Sequence, residues 1–178
     1  MHRLFVAIRP ARAVRAQLLG CMGGVPGARW QDDEQLHLTL RFIGEVDRHG
    51  AEDVAAALDR VRAAPFALQL AGLGRFERRG RTDAIWAGVR PHDDVAALAR
   101  KVNEAVTRAG LPPETRAYLP HVTIARLGRA GGGPVEPFLA EKAGLASPPW
   151  TVDSFCLFES RLGSEGARYE AVARYALG

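Results

Sequence analysis

Two tetrapeptides in this chain pair an imidazole with a hydroxyl at the same spacing: His37-Leu38-Thr39-Leu40 and His121-Val122-Thr123-Ile124. In an extended strand successive side chains alternate between faces, so His37 and Thr39 share one face and the aliphatic residues take the other. The second copy reads the same way. Two imidazoles and two hydroxyls converging on one small ligand are equipment for acid–base chemistry on a phosphate without a metal. Histidine suits both proton donation and proton acceptance, because its ordinary pKa of about 6.5 keeps both protonation states accessible near neutral pH. A single H-x-T tripeptide is common, and a strand-forming threonine beside a turn-capping histidine explains either copy alone. The doubling is what carries weight, since the chain has only five histidines.

The elements that must position these residues can be read from periodicity and punctuation. A strand is expected over Leu4–Ile8, followed by a helix opened by Pro10 with Val14, Leu18 and Met22 at helical spacing. The first motif falls in a strand from Leu36 to Ile43 that stops at Gly44. A helix follows from about Arg48 to Arg62, then a strand at Phe66–Leu70, a turn marked by Gly72 and Gly74, and a strand at Ala84–Val89. Val95, Leu98, Ala99, Val102 and Val106 form one stripe of a helix from Asp93 to Ala109. The second motif falls in a strand over His121–Ala125. A glycine loop (Gly131-Gly132-Gly133-Pro134), a short helix at Pro137–Ala143 and strands at Val152–Phe158 and Tyr169–Tyr175 complete the chain.

This mixture lacks the regular strand–helix–strand rhythm of a doubly wound fold. The two motifs lie about half the chain length apart. Together these point to an α+β fold: one two-lobed, pseudo-symmetric domain over residues 1–178, with antiparallel sheets lining a central cleft and helices packed outside.

Composition bounds the rest. With 178 residues, 47% hydrophobic and 25% charged, the chain can bury a substantial core and is not of disordered composition. No stretch approaches the roughly 20 apolar residues of a membrane helix, and the short apolar run before Arg9 is not a signal peptide. Cys21 and Cys156 match no metal-ligand spacing and read as reduced thiols of a cytoplasmic protein. The net charge of +4 permits an anionic partner, RNA included, without requiring one. No metal, no cofactor and no dedicated protein partner is expected, and the chain reads as a monomer.

The flanks of the motifs carry a resemblance. Arg3-Leu4-Phe5-Val6-Ala7-Ile8, Leu36-His37-Leu38-Thr39-Leu40-Arg41-Phe42-Ile43-Gly44-Glu45-Val46 and Pro120-His121-Val122-Thr123-Ile124-Ala125-Arg126 resemble the two-histidine (2H) phosphoesterase superfamily. Within it they are similar to the RNA 2′,3′-cyclic phosphodiesterases historically called 2′-5′ RNA ligases. Gly72-Leu73-Gly74-Arg75-Phe76, Leu157-Phe158-Glu159-Ser160 and Gly166-Ala167-Arg168-Tyr169 extend the resemblance along the chain. It implies hydrolysis of a ribose 2′,3′-cyclic phosphate to a 2′-phosphate, with His37 as general acid and His121 as general base. The geometry alone would also work with these roles reversed. Thr39 and Thr123 would donate to the non-bridging oxygens.

The resemblance also implies that Arg126 contacts substrate. Strict alternation turns Arg126 away from His121, so a bulge or the strand's end must re-aim it. Arg41, four residues after His37, lies on the catalytic face of a regular strand and could draw in a phosphate; a solvated strand-end arginine is the alternative for both. Trp30, Phe42 and Tyr118 flank the motifs as candidates to stack a base, with core packing the default for Phe42. His2, His49 and His92 read as surface residues. Gly72-Leu73-Gly74 lacks the third glycine of a dinucleotide loop, and Gly131–Gly133 lacks a phosphate-loop lysine. The same site could instead ligate ends through a 2′-5′ linkage or cleave 2′-5′ oligoadenylates, and a non-catalytic nucleotide-binding module is the reading from another class.

Overall fold

A computed structural model describes residues 1–128 and 133–178, so part of the expected glycine loop, Gly131 and Gly132, lies outside the described residues. The elements run β1 (His2–Ile8), α1 (Arg12–Cys21), β2 (Ala28–Trp30), β3 (Leu38–Val46), α2 (Arg48–Leu58), β4 (Phe66–Arg78), β5 (Arg81–Arg90), α3 (Asp93–Arg108), β6 (His121–Leu127), α4 (Glu136–Glu141), β7 (Trp150–Val152), β8 (Ser154–Gly163) and β9 (Gly166–Ala176). The strands join into one antiparallel sheet ordered β7-β4-β5-β6-β3-β1-β8-β9, with β2 also paired to β6. The fold is α+β, with the helices on one face of the sheet.

The sheet divides where the two motif strands meet. β3 and β6 touch through a single pair, Leu38↔Val122. Beyond it they diverge: β3 continues along β1 and β6 continues between β5 and β2. One lobe is therefore β3-β1-β8-β9 and the other β6-β5-β4-β7, joined at the starts of the strands that carry the histidines.

β1 shows why an almost unbroken apolar run reads as a strand. Leu4, Val6 and Ile8 enter the main core with Leu18 of α1, Val54 and Leu58 of α2 and the α3 stripe Val95, Leu98, Val102 and Val106. Phe5 and Ala7 face the other way and pack with Phe158, Cys156 and Tyr169 in a second cluster. Both faces of β1 are covered, so its residues are buried in succession. Each fully buried Leu or Val of α3 contributes roughly 1.5–3 kcal/mol relative to exposure, enough to fix that helix on the sheet.

Two of the boundaries that differ from the expectations do so at glycines that a neighbouring strand explains. β4 runs straight through Gly72 and Gly74, where a turn is expected; the turn lies at Arg79 and Gly80, both with positive φ. Gly74 sits beneath the Trp86 ring, which a Cβ there would meet at 2.3 Å. It is a site of close approach within the strand. β3 likewise passes Gly44, whose φ of 89° follows an irregularity in the β1–β3 register. The three-residue strand β2 carries no periodicity and escapes the sequence reading.

Candidate active site

The single bridge between β3 and β6 assembles the motifs. Antiparallel counting from Leu38↔Val122 sets His37 across from Thr123 and Thr39 across from His121. Leu38 and Val122 are fully buried on the helix side, so all four polar residues take the open face. Each ring is oriented by the same device: His37 Nδ1 meets the backbone carbonyl of Gln35 at 2.6 Å, and His121 Nδ1 meets that of Leu119 at 2.7 Å. A carbonyl only accepts, so Nδ1 carries the proton in each neutral ring. Nε2 is left as the reactive nitrogen on both sides.

Aromatic floors hold the two rings. The His37 ring lies 4.8 Å from Phe5 and 5.1 Å, edge-on, from Tyr169. His121 meets Phe76 edge-on at 4.9 Å and Trp86 at 5.9 Å. Phe5, Phe76 and Tyr169 fall within the segments that carry the family resemblance, with no role assigned to them there, and Trp86 lies outside those segments. The usable signal was the bulky residue next to each motif strand, but only the strand pairing tells which of them share its face.

A duplicated β-bulge settles the faces after each motif. Across β1, Thr39 pairs with Ala7 and Arg41 with Val6, which leaves Leu40 as an extra residue. Across β5, Thr123 pairs with Trp86 and Ala125 with Ile85, which leaves Ile124 extra. A bulge inverts the alternation beyond it. Arg126 therefore emerges exposed on the histidine face, after two buried residues in succession. By the same inversion the fifth residue after His37 on that face is Phe42, which is 46% exposed and not in the core. Arg41 departs from strict alternation and turns to the helix side, 8% exposed, where it donates to the Pro112 carbonyl and lies 3.9 Å from Glu114. Trp30 packs against Phe138 in the core layer. Tyr118 donates its hydroxyl to the Thr39 carbonyl at 2.9 Å, tying the segment before β6 to β3.

A cavity of about 690 Å³ opens beside this constellation, bordered by Thr39, Arg41, Phe42, Phe76, Tyr118 and His121. Its rim is a partly exposed apolar set, Phe42, Phe76 and Leu119. Among the described residues no three His, Cys, Asp or Glu side chains converge in a way that could hold a metal ion.

Burial is the dominant electrostatic effect. It pushes the His37 imidazolium down to about 4, opposed by the bond to the Gln35 carbonyl and reinforced by the charges of Arg126 and His121. His121 is also lowered, first by burial and then by Arg126 against the Leu119 bond. One guanidinium thus acts on both rings, and the rings sense each other.

The depressed His37 has a consequence for stability. The unfolded chain binds a proton on this ring below about pH 6.5, whereas the folded protein does so only near 4. Between those values the unfolded state carries more protons, so stability falls as pH drops through the window. Denaturant unfolding of His37→Gln is expected to give a flatter stability profile than the parent chain between about pH 4 and 6.5. Identical slopes would mean that the ring is not held neutral by burial.

A family profile described as the 2′-5′ RNA ligase superfamily matches residues 7–163. The RNA 2′,3′-cyclic phosphodiesterase of Aeropyrum pernix is 33% identical over 151 residues, covering 84% of this chain and 85% of that protein. That of Geobacillus stearothermophilus is 32% identical over 155 residues, covering 86% of this chain but 49% of that protein, so the match spans about half the length of this relative. Among solved structures, Escherichia coli LigT complexed with 3′-AMP superposes with a TM-score of 0.78 at 25% identity, over 99% of this chain and 98% of that one.

Proposed function

Because the chain belongs to the 2′-5′ RNA ligase superfamily, we propose that it hydrolyses ribose 2′,3′-cyclic phosphates at RNA or nucleotide ends to 2′-phosphates, by two-histidine acid–base catalysis without a metal. The observation that supports this most directly is the meeting of two H-x-T strands at one bridge, each imidazole fixed through Nδ1. The names of the relatives that match most of the chain, RNA 2′,3′-cyclic phosphodiesterase, support the cyclic-phosphate substrate.

In this reading His121 Nε2 takes a proton from water as the water oxygen bonds to phosphorus. The P–O3′ bond breaks, and His37 Nε2–H gives its proton to the departing 3′-oxygen. Thr39 and Thr123 donate to the two non-bridging oxygens, where negative charge builds, and Arg126 supplies a fixed positive charge to the same group. After one turnover His37 is neutral and His121 protonated, and exchange with solvent resets both. Arg41 donates to the Pro112 carbonyl and lies near Glu114, and it also lines the cavity beside the histidines.

The lowered pKa values fit the two roles unequally. A neutral His121 is ready to act as a base. His37 must be protonated to act as an acid, and a bound phosphate diester favours that form because its charge offsets Arg126 and attracts the imidazolium. The cavity bordered by Phe42, Phe76 and Tyr118, about 690 Å³, has room beside the phosphate for the nucleoside.

Phosphorus NMR of the products from an oligoribonucleotide ending in a 2′,3′-cyclic phosphate tests the reading. The expected product is the 2′-phosphate, formed at the same rate in EDTA. A 3′-phosphate would reverse the bond that breaks, a 2′-5′ diester would make the chain a ligase, and loss of turnover in EDTA restored by a divalent cation would refute the metal-free mechanism.

A further inference from the structure

Both motif imidazoles are anchored through Nδ1 to the main-chain carbonyl two residues upstream, yet the two carbonyls are held in place differently. Before His121 the backbone itself does this. Pro120 confines Leu119 to extended conformations, which restricts the direction of the Leu119 carbonyl. Before His37 the equivalent residue is Leu36, which imposes no such restriction on Gln35. There a side chain supplies what the backbone lacks.

Every polar atom of Gln35 is engaged. Its main-chain N–H donates to the Asp32 carboxylate at 2.9 Å, and the Asp32 N–H donates back to Gln35 Oε1 at 3.1 Å. This reciprocal pairing is that of a capping box, here closing a turn that leads into a strand. Gln35 Nε2 donates to the Ala167 carbonyl of β9 at 2.9 Å, and the Gln35 carbonyl accepts from His37 at 2.6 Å. The turn is also clipped down at Asp33, which accepts from Arg15 of α1 at 2.9 Å and from Arg9, just after β1, at 3.1 Å. β9 therefore reaches His37 by two routes, the edge of the Tyr169 ring at 5.1 Å and the side chain of Gln35.

We propose that Gln35 is a positioning residue for His37: it locks the turn before β3 onto β9, so that its own carbonyl holds the ring with Nε2 free for the reaction. This rests on the phosphodiesterase reading above and adds to it a residue that acts only through the acid. The Gln35 carbonyl favours the charged ring and works against its burial. Arg126 and His121 on β6 oppose that form, while Phe5 of β1 and Tyr169 of β9 flank the ring. The acid thus depends on one carbonyl for both its tautomer and its readiness to take a proton.

Gln35→Met keeps the length of the side chain and removes its hydrogen bonds to Asp32 and Ala167. It is expected to lower kcat on a 2′,3′-cyclic phosphate on the order of tenfold with KM little changed, as for loss of a contact that orients a working histidine. A loosened carbonyl also disfavours the charged ring, so the acid limb of the kcat/KM profile, which belongs to the histidine pair, should move to lower pH. Proton–nitrogen correlation spectra of the imidazoles read the tautomer without substrate. The neutral His37 ring, protonated at Nδ1 in the parent chain, should become a mixture of tautomers, while His121 keeps its own. Asp32 is exposed; Asp32→Ala should act in the same direction, and Asp32→Asn, which loses the charge but keeps an acceptor, should restore the parent behaviour. An unmoved tautomer and acid limb in Gln35→Met would overturn the proposal, even if the variant melted earlier, as would equal changes at His121. If Gln35→Met did not fold, the two Asp32 variants would decide by the same readings. If the parent chain turned over no cyclic phosphate, the phosphodiesterase reading would fall while the tautomer spectra still decided the role of Gln35.

Discussion

His37→Ala and His121→Ala are each expected to lower kcat on a 2′,3′-cyclic phosphate by roughly 10²–10⁴-fold, the usual contribution of a positioned proton-transfer group. Both rings are held by a main-chain carbonyl at Nδ1, two residues upstream in each case, and both rest on aromatic side chains. Alanine therefore removes the proton carrier while the anchoring backbone stays in place. Because the two imidazoles serve a single displacement, the double variant should fall little below the worse single one. Substitution of Thr39 or Thr123 by valine removes a hydroxyl and no titrating group, so either should cost less than loss of a histidine. Steady-state rates with circular dichroism as a folding control make the measurement. Full activity in either alanine variant would dismantle the two-histidine mechanism.

Arg126→Gln is expected to cost about 10²–10³-fold in kcat/KM, the range for loss of one group stabilising charge in a transition state. It carries a second signature that a structural defect would not give. Arg126 lowers both histidines through its charge, so its removal lets both rise towards the ordinary histidine range. The acid limb of the kcat/KM profile, which reports the free enzyme, should then move to higher pH. Because the histidines interact, the limbs belong to the pair and not to either ring. Arg126→Lys keeps the charge but not the planar fork, so it should keep the pH profile while recovering only part of the rate. A loss of rate with an unmoved acid limb would place Arg126 outside the site.

The depressed histidines and Arg126 form one electrostatic unit. Burial alone would make His37 a poor acid near neutrality. An anionic substrate changes that balance, since it offsets the guanidinium and favours the imidazolium. The acid is thereby protonated chiefly when there is something to protonate, which couples binding to proton uptake.

How far the sequence could be read follows from the range of the forces involved. The α3 stripe, the apolar run of β1 and the two motif strands are local patterns, legible because helices and strands impose fixed periods on a chain that must bury its apolar side chains. Turn punctuation was less reliable. Gly72 and Gly74 look like a turn, yet Gly74 exists for the Trp86 ring that crosses it, a neighbour on another strand. Phe42 and Arg41 exchange the faces that strict alternation assigns to them. Arg126 reaches the histidine face that alternation denied it.

The sequence by itself determined the chemistry on offer: two imidazoles, each one residue from a hydroxyl, on strands that put both on one face. Tertiary structure alone decided that the two strands meet at Leu38↔Val122, that bulges at Leu40 and Ile124 bring Phe42 and Arg126 to the histidine face, and that Arg41 leaves that face for the wall of the neighbouring cavity. The reason is physical. Alternation is a property of one strand, whereas a bulge is a mismatch of two residues against one across a pair, and no single strand contains its partner's register.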